Sequence, residues 1–241
     1  MKHVRLYQNT NLQIGSNVIL DEYGYHHLVK VLRFPEGKDI TLFNGDGMNY
    51  TATVVRVKKE CVVDVHSCEQ NLSESELKIH LIQGIAKGEK MDFLIQKAVE
   101  LGVSKFTPVM SERCVVKLKG DKLYKRQMHW QKVIISAAEQ SGRSVIPELC
   151  DTINFVEIFN SDITNGLVLH HRAETSLLDM QPVSEVTIII GPEGGLTSSE
   201  IGMAIESKCN PIALGNRILR TETASLAAIA NLQLLWGSQQ N

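Results

Sequence analysis

Apolar and polar positions follow two different rhythms along this chain, and the first of them is typical of β-structure. Three short segments are rich in β-branched residues: DITLF (39–43), YTATVVRV (50–57) and CVVDVH (61–66). The turn NGDG at 44–47 predicts that the first two pair as a hairpin. The pattern therefore predicts a small β domain.

A short amphipathic helix is predicted just before these strands, where apolar side chains recur at helical spacing at Tyr25, Leu28, Val29 and Leu32. The segment HHLVKVLR would then bury one face and leave Lys30 and Arg33 outward. After the strands, the short polar stretch QNLSESE (70–76) is a candidate linker. We therefore expect one domain at 1–72 and a second at 73–241.

From residue 77 onward, strands alternate with longer helical patterns, which favours an α/β fold with a mostly parallel sheet and helices on both faces. The predicted buried strands are 77–85, 105–110, 166–170, 186–190 and 211–214. One helix carries an apolar face at Met91, Leu94, Ile95 and Ala98 and should end at Gly102. A second helix is predicted at about 121–141, with Leu123, Trp130 and Ile134 in its apolar stripe.

Composition narrows the class of protein. No apolar run approaches the roughly 20 residues of a membrane span, and the N-terminus lacks the apolar stretch of a signal peptide, so we expect a cytoplasmic protein. The 5 cysteines include no C-x-x-C pair, which favours buried thiols in a reducing compartment. We expect no metal, because His26 and His27 are adjacent on a helix and face different directions.

Charge is distributed unevenly although the net charge is only -2. Residues 105–143 carry 9 Lys and Arg against 3 Asp and Glu, whereas residues 144–241 carry 4 against 11. A basic segment on a near-neutral protein is expected where one face meets phosphate groups. A solvated helix face would show the same pattern, so charge alone does not decide between them.

Three unusual segments follow predicted strands of the sheet: HHRA (170–173), GPEGG (191–195) and GNRILRTETA (215–224). In open α/β sheets, ligands bind beyond the carboxyl ends of the strands. The second segment precedes a capping box, Thr197 to Glu200, so its glycines could let backbone N–H groups approach a small ligand. The alternative is a tight turn that needs glycine for geometry alone.

Two cations, Arg217 and Arg220, flank the apolar pair Ile218 and Leu219 in the third segment. They could face a ligand, or they could pair with the surplus acids of this half of the chain. An alanine-rich helix follows at 223–230, and its small side chains permit close packing. The segment GPEGG matches neither the dinucleotide nor the nucleoside-triphosphate loop, so a phosphate cradle is not required.

At GPEGGLTSSEI and LGNRILRTETASLAAI the chain strongly resembles the RsmE family of SPOUT-class methyltransferases. The resemblance extends to HHLVKVLR, GEKMDFLIQKAVELGV, SERCVVK and AAEQSGR, so nearly the whole chain is covered. It implies a PUA-like β-barrel domain that grips RNA, followed by a SPOUT domain with a trefoil knot, and a homodimer with its active site at the subunit junction. It also implies methylation of N3 of a uridine in 16S ribosomal RNA of the small ribosomal subunit.

The cofactor implied by the resemblance is S-adenosyl-L-methionine, bent within the knot. The residues that match the family's cofactor loops are Leu169, His170, Ile190, Gly191, Glu193, Gly194, Gly195, Leu214, Gly215, Ile218, Leu219 and Arg220.

Methylation of uracil N3 requires loss of the N3 proton, and a nearby cation stabilises the resulting imide anion. Arg220 is the first candidate for this role and Arg217 the second. Glu222 and His170 are candidates for the general base, although either could simply hold a loop in place.

Seven basic residues are candidate RNA contacts, with surface solubility as the alternative and, for Arg143, an internal salt bridge: Arg5, Lys30, Arg33, Arg113, Lys117, Lys119 and Arg143. Because aromatic residues make up only 5% of the chain, shape and phosphate contacts should dominate over base stacking. Two alternative functions stay open: a SPOUT methyltransferase that acts on a transfer RNA base or a ribose 2'-hydroxyl, and a non-catalytic RNA-binding protein.

Overall fold

The chain forms two compact units in the computed structural model, which describes residues 4–160 and 163–237. The first unit takes Met1–Glu74 with Ala138–Ile146, and the second takes Ser75–Ala137 with Pro147–Asn241. The sequence-based boundary at 72/73 would assign the segment Ala138–Ile146 to the second domain. In the structure this segment contacts the first unit, because its polar groups bond to residues of the N-terminal strands.

The first unit is built on a five-stranded sheet in the order β1-β3-β4-β5-β2. Its elements are β1 (Arg5–Tyr7), β2 (Asn17–Ile19), α1 (Glu22–Tyr25), β3 (Asp39–Phe43), β4 (Met48–Val57) and β5 (Cys61–Gln70). Strand β1 runs parallel to β3, and the other pairs are antiparallel. The predicted β3–β4 hairpin is confirmed, whereas the sequence pattern missed the short strands β1 and β2.

The segment HHLVKVLR was predicted as an ordinary amphipathic helix, and this is wrong in one respect. Helix α1 is followed by a π-helix at His26–Val31, in which the Leu32 N–H donates to the His27 carbonyl five residues back. The wider turn still buries Leu28 completely and leaves Lys30 and Arg33 exposed. Tyr25 and Val29 pack against the same core as Leu28, as predicted. Leu32 was also predicted on the buried face, but it is 42% exposed, because the wider π-helical turns shift its position around the helix axis.

The second unit is a seven-stranded, wholly parallel sheet in the order β12-β10-β11-β6-β7-β8, with β9 also paired to β7. Its elements are β6 (Lys78–Gly84), α2 (Glu89–Glu100), β7 (Val103–Met110), α3 (Gly120–Ser141, of which 138–141 belong to the first unit), β8 (Glu148–Leu149), β9 (Ile153–Asn154), β10 (Gly166–Leu169), β11 (Glu185–Ile190), α4 (Ser198–Glu206), β12 (Asn210–Ile212) and α5 (Thr221–Trp236). The five predicted strands and the parallel sheet are confirmed.

Both faces of this sheet are buried, as a parallel sheet requires. On one face, Ile82, Val168 and Ile189 pack in one cluster with Ala204 of α4. Their chain neighbours Leu81 and Ile188 are equally buried and point to the other side, because side chains alternate along a strand. Helix α2 packs against β7 and α5, and α5 also packs against β11. Helices therefore cover the apolar side chains of both faces.

Strand order and register do not determine how the chain threads, so the trefoil knot stays a prediction. None of the helices in 4–160 and 163–237 is long and apolar enough to cross a membrane.

Candidate functional site

A cavity of about 390 Å³ lies at the carboxyl ends of β10, β11 and β12. All three segments that the sequence analysis singled out contribute to its wall, together with Arg113 from the loop after β7. Its wall combines apolar side chains, with Leu169, Ile190 and Leu214 among them, with polar and charged ones that include His170 and Arg217. A concave site in which apolar surface meets converging polar groups is typical of small-molecule binding.

Ten of the twelve residues predicted to bind the cofactor line this cavity, namely Leu169, His170, Ile190, Gly191, Glu193, Gly194, Gly195, Leu214, Ile218 and Leu219. The other two, Gly215 and Arg220, lie outside its wall. Gly215 has a φ of 92°, so it turns the backbone of the third loop, and Arg220 is the N-cap residue of α5. The structure thus brings together residues that are up to 50 positions apart in the sequence.

The glycine loop is a tight turn in close contact with its neighbours. The Gly195 N–H donates to the Pro192 carbonyl at 2.8 Å, and Gly195 has a φ of 68°, which favours glycine. Beneath the turn lies Gly84 at the end of β6, where a Cβ atom would come within 2.5 Å of Pro192. The glycines are therefore needed for close backbone approach as well as for the turn itself.

Glu193, in the middle of this loop, is held by contacts of its carboxylate. Its carboxylate accepts a hydrogen bond from the Lys87 N–H at 3.0 Å and lies 3.6 Å from the Lys90 ammonium group. Burial by itself would raise the pKa of Glu193, but the hydrogen bond from Lys87 and the Lys90 charge together lower it. Glu193 is therefore an anion that anchors the loop to the segment before α2.

A buried network of polar side chains supports the cavity from below, and sequence reasoning missed it. The Gln83 side-chain amide donates to the Gly191 carbonyl at 3.2 Å and to the Thr221 hydroxyl at 3.0 Å. The Thr221 hydroxyl donates to the same Gly191 carbonyl at 2.6 Å, and the Ser225 hydroxyl donates to Gln83 Oε1 at 2.6 Å. The network joins β6, the glycine loop and the first turns of α5. A glutamine near the carboxyl end of a strand predicted to be buried was the available signal.

The predicted capping box of the next helix is confirmed. The Thr197 side chain accepts from the Glu200 N–H, and the Glu200 carboxylate accepts from the Thr197 N–H at 2.8 Å. The other Glu200 oxygen accepts from the Glu112 N–H at 2.9 Å. Glu200 is only 4% exposed, so this carboxylate joins the start of α4 to the loop after β7.

The candidate catalytic residues occupy different positions around the cavity. Arg217 lines it and is exposed, and Arg220 is exposed at the start of α5. Glu222 lies in the first turn of α5 outside the cavity wall, and within the described part of the chain its Oε2 atom is buried without a hydrogen-bond partner. His170 lines the cavity, and burial, followed by the nearby charges of His171 and Arg172, lowers its pKa.

The seven candidate RNA contacts separate into three groups. Lys30, Arg33, Lys117 and Lys119 are exposed at the surface. Arg113 lines the cavity instead, and its guanidinium donates to the Gly194 carbonyl at 3.1 Å.

Two of the seven are committed to internal contacts of the first unit. Arg143 is 4% exposed and binds the Glu74 carboxylate through two hydrogen bonds of 2.8 and 2.7 Å. Arg5 donates to the Ser144 hydroxyl at 2.9 Å and lies over the Phe43 ring. An RNA contact does not fit the burial of Arg143, and the internal salt bridge weighed as its alternative is what the structure contains.

In the described part of the chain, no three His, Cys, Asp or Glu side chains come together in the manner of a metal site.

Comparison with known proteins agrees with this geometry. Residues 73–233 match the RNA methyltransferase domain, and residues 20–65 match the RNA methyltransferase PUA domain. The chain is 35% identical to ribosomal RNA small subunit methyltransferase E of Buchnera aphidicola, over 97% of this chain and 96% of that protein. It is 33% identical to the Bacillus subtilis protein of the same name, over 89% of this chain and 90% of that protein.

Solved structures agree as well. A methyltransferase from Legionella pneumophila in complex with S-adenosylmethionine (SAM) is similar with a TM-score of 0.96 and 38% identity, covering 99% of this chain and 100% of that one. Ribosomal RNA small subunit methyltransferase E from Neisseria gonorrhoeae, bound to SAM, has a TM-score of 0.92 and 39% identity, with 98% of each chain covered. This chain therefore belongs to the family of RNA methyltransferases that includes ribosomal RNA small subunit methyltransferase E.

Proposed function

We propose that this protein transfers the methyl group of SAM to N3 of a specific uridine in the 16S ribosomal RNA of the small ribosomal subunit. The observation that carries the proposal is the single cavity formed by the three loops at the carboxyl ends of β10, β11 and β12. Relatives that align over nearly the whole chain are named for methylation of small-subunit ribosomal RNA. Two similar structures contain SAM.

The cavity fits this cofactor in size and chemistry. Its volume of about 390 Å³ falls within the roughly 300–1,000 Å³ of small-molecule sites. Leu169, Ile190 and Leu219 offer apolar surface for a flat adenine ring, and the backbone of 191–195 offers donors and acceptors for its edges. The first turn of α5, with Thr221 and Ala224 in the wall, adds a helix N-terminus that favours a carboxylate.

When bound, SAM supplies an electrophilic methyl group on a sulfonium ion. The protein must then orient the uracil ring, allow N3 to lose its proton and stabilise the negative charge that the imide acquires before its nitrogen attacks the methyl carbon. As the new N–C bond forms and the C–S bond breaks, the sulfonium becomes a neutral thioether. The residues of the chain therefore act on the base and its proton.

Arg220 and Arg217 are proposed to stabilise the developing imide anion, with Arg220 also positioned for an adjacent phosphate. Both side chains are exposed, and neither has a hydrogen bond or ion pair within the described part of the chain. His170 and Glu222 are the candidates for the general base. The lowered pKa of His170 favours its neutral form, which can accept a proton.

RNA binding is proposed to use exposed cations. Within the first unit, the Tyr25 hydroxyl donates to the Lys58 carbonyl at 2.8 Å, which brings the turn containing Lys58 and Lys59 beside the π-helix with Lys30 and Arg33. These four basic residues are exposed and are suited to phosphate groups. Lys117 and Lys119 are the proposed contacts of the second unit.

We also propose that the protein is a cytoplasmic homodimer. Leu234 and Leu235 on α5 are exposed, and so is Phe93 on α2, which packs against α5. Exposed apolar side chains on two helices that pack together would be covered by a second copy of the chain. Measurement of the molar mass by light scattering during gel filtration tests this part of the proposal.

The function is tested by transfer of labelled methyl from SAM to unmethylated small ribosomal subunits, to naked 16S RNA and to transfer RNA. Mass spectrometry then identifies the modified nucleoside. Label on uridine N3 of the small-subunit RNA is the expected result. Label on transfer RNA or on a ribose hydroxyl would replace the proposed substrate, and failure to bind SAM would favour a non-catalytic RNA-binding protein.

A further inference from the structure

We propose that Arg113 is a positioning residue of the cofactor site, which holds the glycine loop in its binding conformation rather than contacting RNA. The inference rests on the proposed function, because it assigns a role within the SAM site. Arg113 is the only cavity residue contributed by the loop after β7 among the described residues, and its guanidinium contacts the glycine loop directly.

The contact consists of hydrogen bonds to backbone carbonyls. Arg113 Nη1 donates to the Gly194 carbonyl at 3.1 Å and lies 3.5 Å from the Leu196 carbonyl. These two carbonyls belong to the end of the loop, just before the capping box of α4. Because a guanidinium ion is planar and always charged, it can bind two carbonyl groups in a defined direction. Fixing these carbonyls also fixes the peptide planes to which they belong.

Packing restrains the same pair of residues. A Cβ atom on Gly194 would lie 3.0 Å from the Arg113 Cβ and 3.3 Å from its carbonyl oxygen. Gly194 is therefore packed closely against Arg113. A side chain at position 194 would crowd against Arg113, which explains why this position is a glycine. The φ of Gly194 is not in the left-handed region, so turn geometry does not explain this glycine.

The backbone that carries Arg113 is itself anchored on both sides. The Glu112 N–H donates to the buried Glu200 carboxylate at 2.9 Å, and Cys114 is 5% exposed. The Cys114 N–H donates to the Ser111 carbonyl at 3.1 Å, which closes a turn around Arg113. A side chain that extends from such a fixed turn can position a neighbouring loop, whereas one on a flexible segment could not.

Four variants separate positioning from RNA contact. Arg113→Ala removes the guanidinium, and Arg113→Lys keeps the positive charge without the planar fork. Lys117→Ala removes a proposed RNA contact from the same segment, and Lys122→Ala removes an exposed cation of α3 as a matched control for loss of charge. Thermal unfolding is measured for each variant, so that a loss of folding is recognised.

The first readout is SAM affinity by isothermal titration calorimetry together with RNA affinity by filter binding. We expect Arg113→Ala and Arg113→Lys both to weaken SAM binding about tenfold, the effect of losing one charge-assisted hydrogen bond. RNA affinity should stay within about twofold, and the KM for SAM should rise while that for RNA does not. Lys117→Ala should weaken RNA binding and leave SAM affinity unchanged. Lys122→Ala should change neither SAM affinity nor thermal stability.

The second readout requires no cofactor. Hydrogen–deuterium exchange of peptides spanning 190–201 should be faster in Arg113→Ala than in wild type, and unchanged in Lys122→Ala. Unchanged SAM affinity and unchanged exchange in both Arg113 variants would overturn the proposal, and so would loss of RNA affinity that Arg113→Lys restores. If wild type binds no SAM, the proposed function fails and this inference fails with it. If wild type binds SAM and the Arg113 variants bind it equally well, only this inference fails.

Discussion

A buried arginine of the first unit and two arginines beside the cavity of the second unit have opposite surroundings. In the first unit, Arg143 is buried and its guanidinium is bound by both oxygens of Glu74. In the second unit, Arg217 and Arg220 are exposed beside the cavity, without a hydrogen bond or ion pair in the described ranges. A buried guanidinium that is bound by a carboxylate is not accessible to a further anion, whereas an exposed and unpaired one is. The comparison therefore separates structural arginines from those available for chemistry.

The largest expected effect tests the structural role of Arg143. Arg143→Ala should lower the free energy of unfolding by about 4 kcal/mol, because it leaves the Glu74 carboxylate without its buried partner. Urea denaturation measures the change. Arg56→Ala is the matched control, since Arg56 pairs with Glu60 in the same unit but both side chains are nearly half exposed, and it should cost less than about 1 kcal/mol. Equal losses in the two variants would contradict the distinction.

The catalytic side is tested by Arg220→Ala, which should lower kcat about 100-fold through loss of transition-state stabilisation. Single-turnover methyl transfer to small ribosomal subunits measures the rate, with identification of the methylated base. Thermal stability should not change, because the side chain is exposed and unpaired. Arg217→Ala provides the comparison, since Arg217 lines the cavity. A rate within threefold of wild type for both variants would remove these arginines from the chemistry.

Glu139 of the first unit is a largely buried carboxyl group whose hydrogen bonds and nearby positive charge offset only part of the effect of burial on its pKa. The pKa of Glu139 is raised to about 7, chiefly by burial. The charge of Asp21 also raises this pKa, whereas the hydrogen bonds from the Tyr7 N–H and the Tyr23 hydroxyl and the charge of Arg5 lower it. The folded protein therefore binds a proton that the unfolded chain releases near pH 4.5. Stability should fall as the pH rises from about 4.5 to about 7, by about 2 kcal/mol after allowing for partial exposure.

Denaturation of wild type and Glu139→Gln at a series of pH values checks this prediction. The variant should lose the fall in stability over that window, because glutamine stays uncharged throughout. An identical pH dependence in the two proteins would show that Glu139 does not titrate there.

The smallest expected effect concerns the network beneath the cavity. Ser225→Ala removes the hydroxyl that donates to Gln83 Oε1 and leaves a buried acceptor unpaired, so the free energy of unfolding should fall by about 1.5 kcal/mol. Because Gln83 also contacts Gly191, SAM affinity should decrease slightly as well. Ser199→Ala, at an exposed position of α4, should stay within about 0.5 kcal/mol of wild type. Calorimetric unfolding distinguishes the two variants.

Local sequence patterns predicted the three loops that line the cavity. Each loop follows a predicted strand, and a glycine or a capping residue marks where the strand ends or the next helix begins, as at Gly191 and Thr197. These signals depend on neighbours in the sequence. The π-helix at 26–31 has no comparable signal in the sequence. The edge strands β1 and β2 have none either, because three-residue strands are stabilised by pairing with strands that are distant in the sequence.

The sequence by itself determined the class of fold, the strands that lead to the site and the three loops that form it, since periodicity and turn residues act over a few positions. Only the tertiary structure decided which polar side chains are free. Arg143 and Arg113 were both candidate RNA contacts, with an internal salt bridge as the alternative for Arg143, and in the structure one binds Glu74 and the other binds the Gly194 carbonyl. Gln83 lies in a strand that was predicted only as buried, and its side chain holds the loop after β11. The partner of a polar group is chosen by three-dimensional proximity across 69 to 108 positions of chain, which no local pattern encodes.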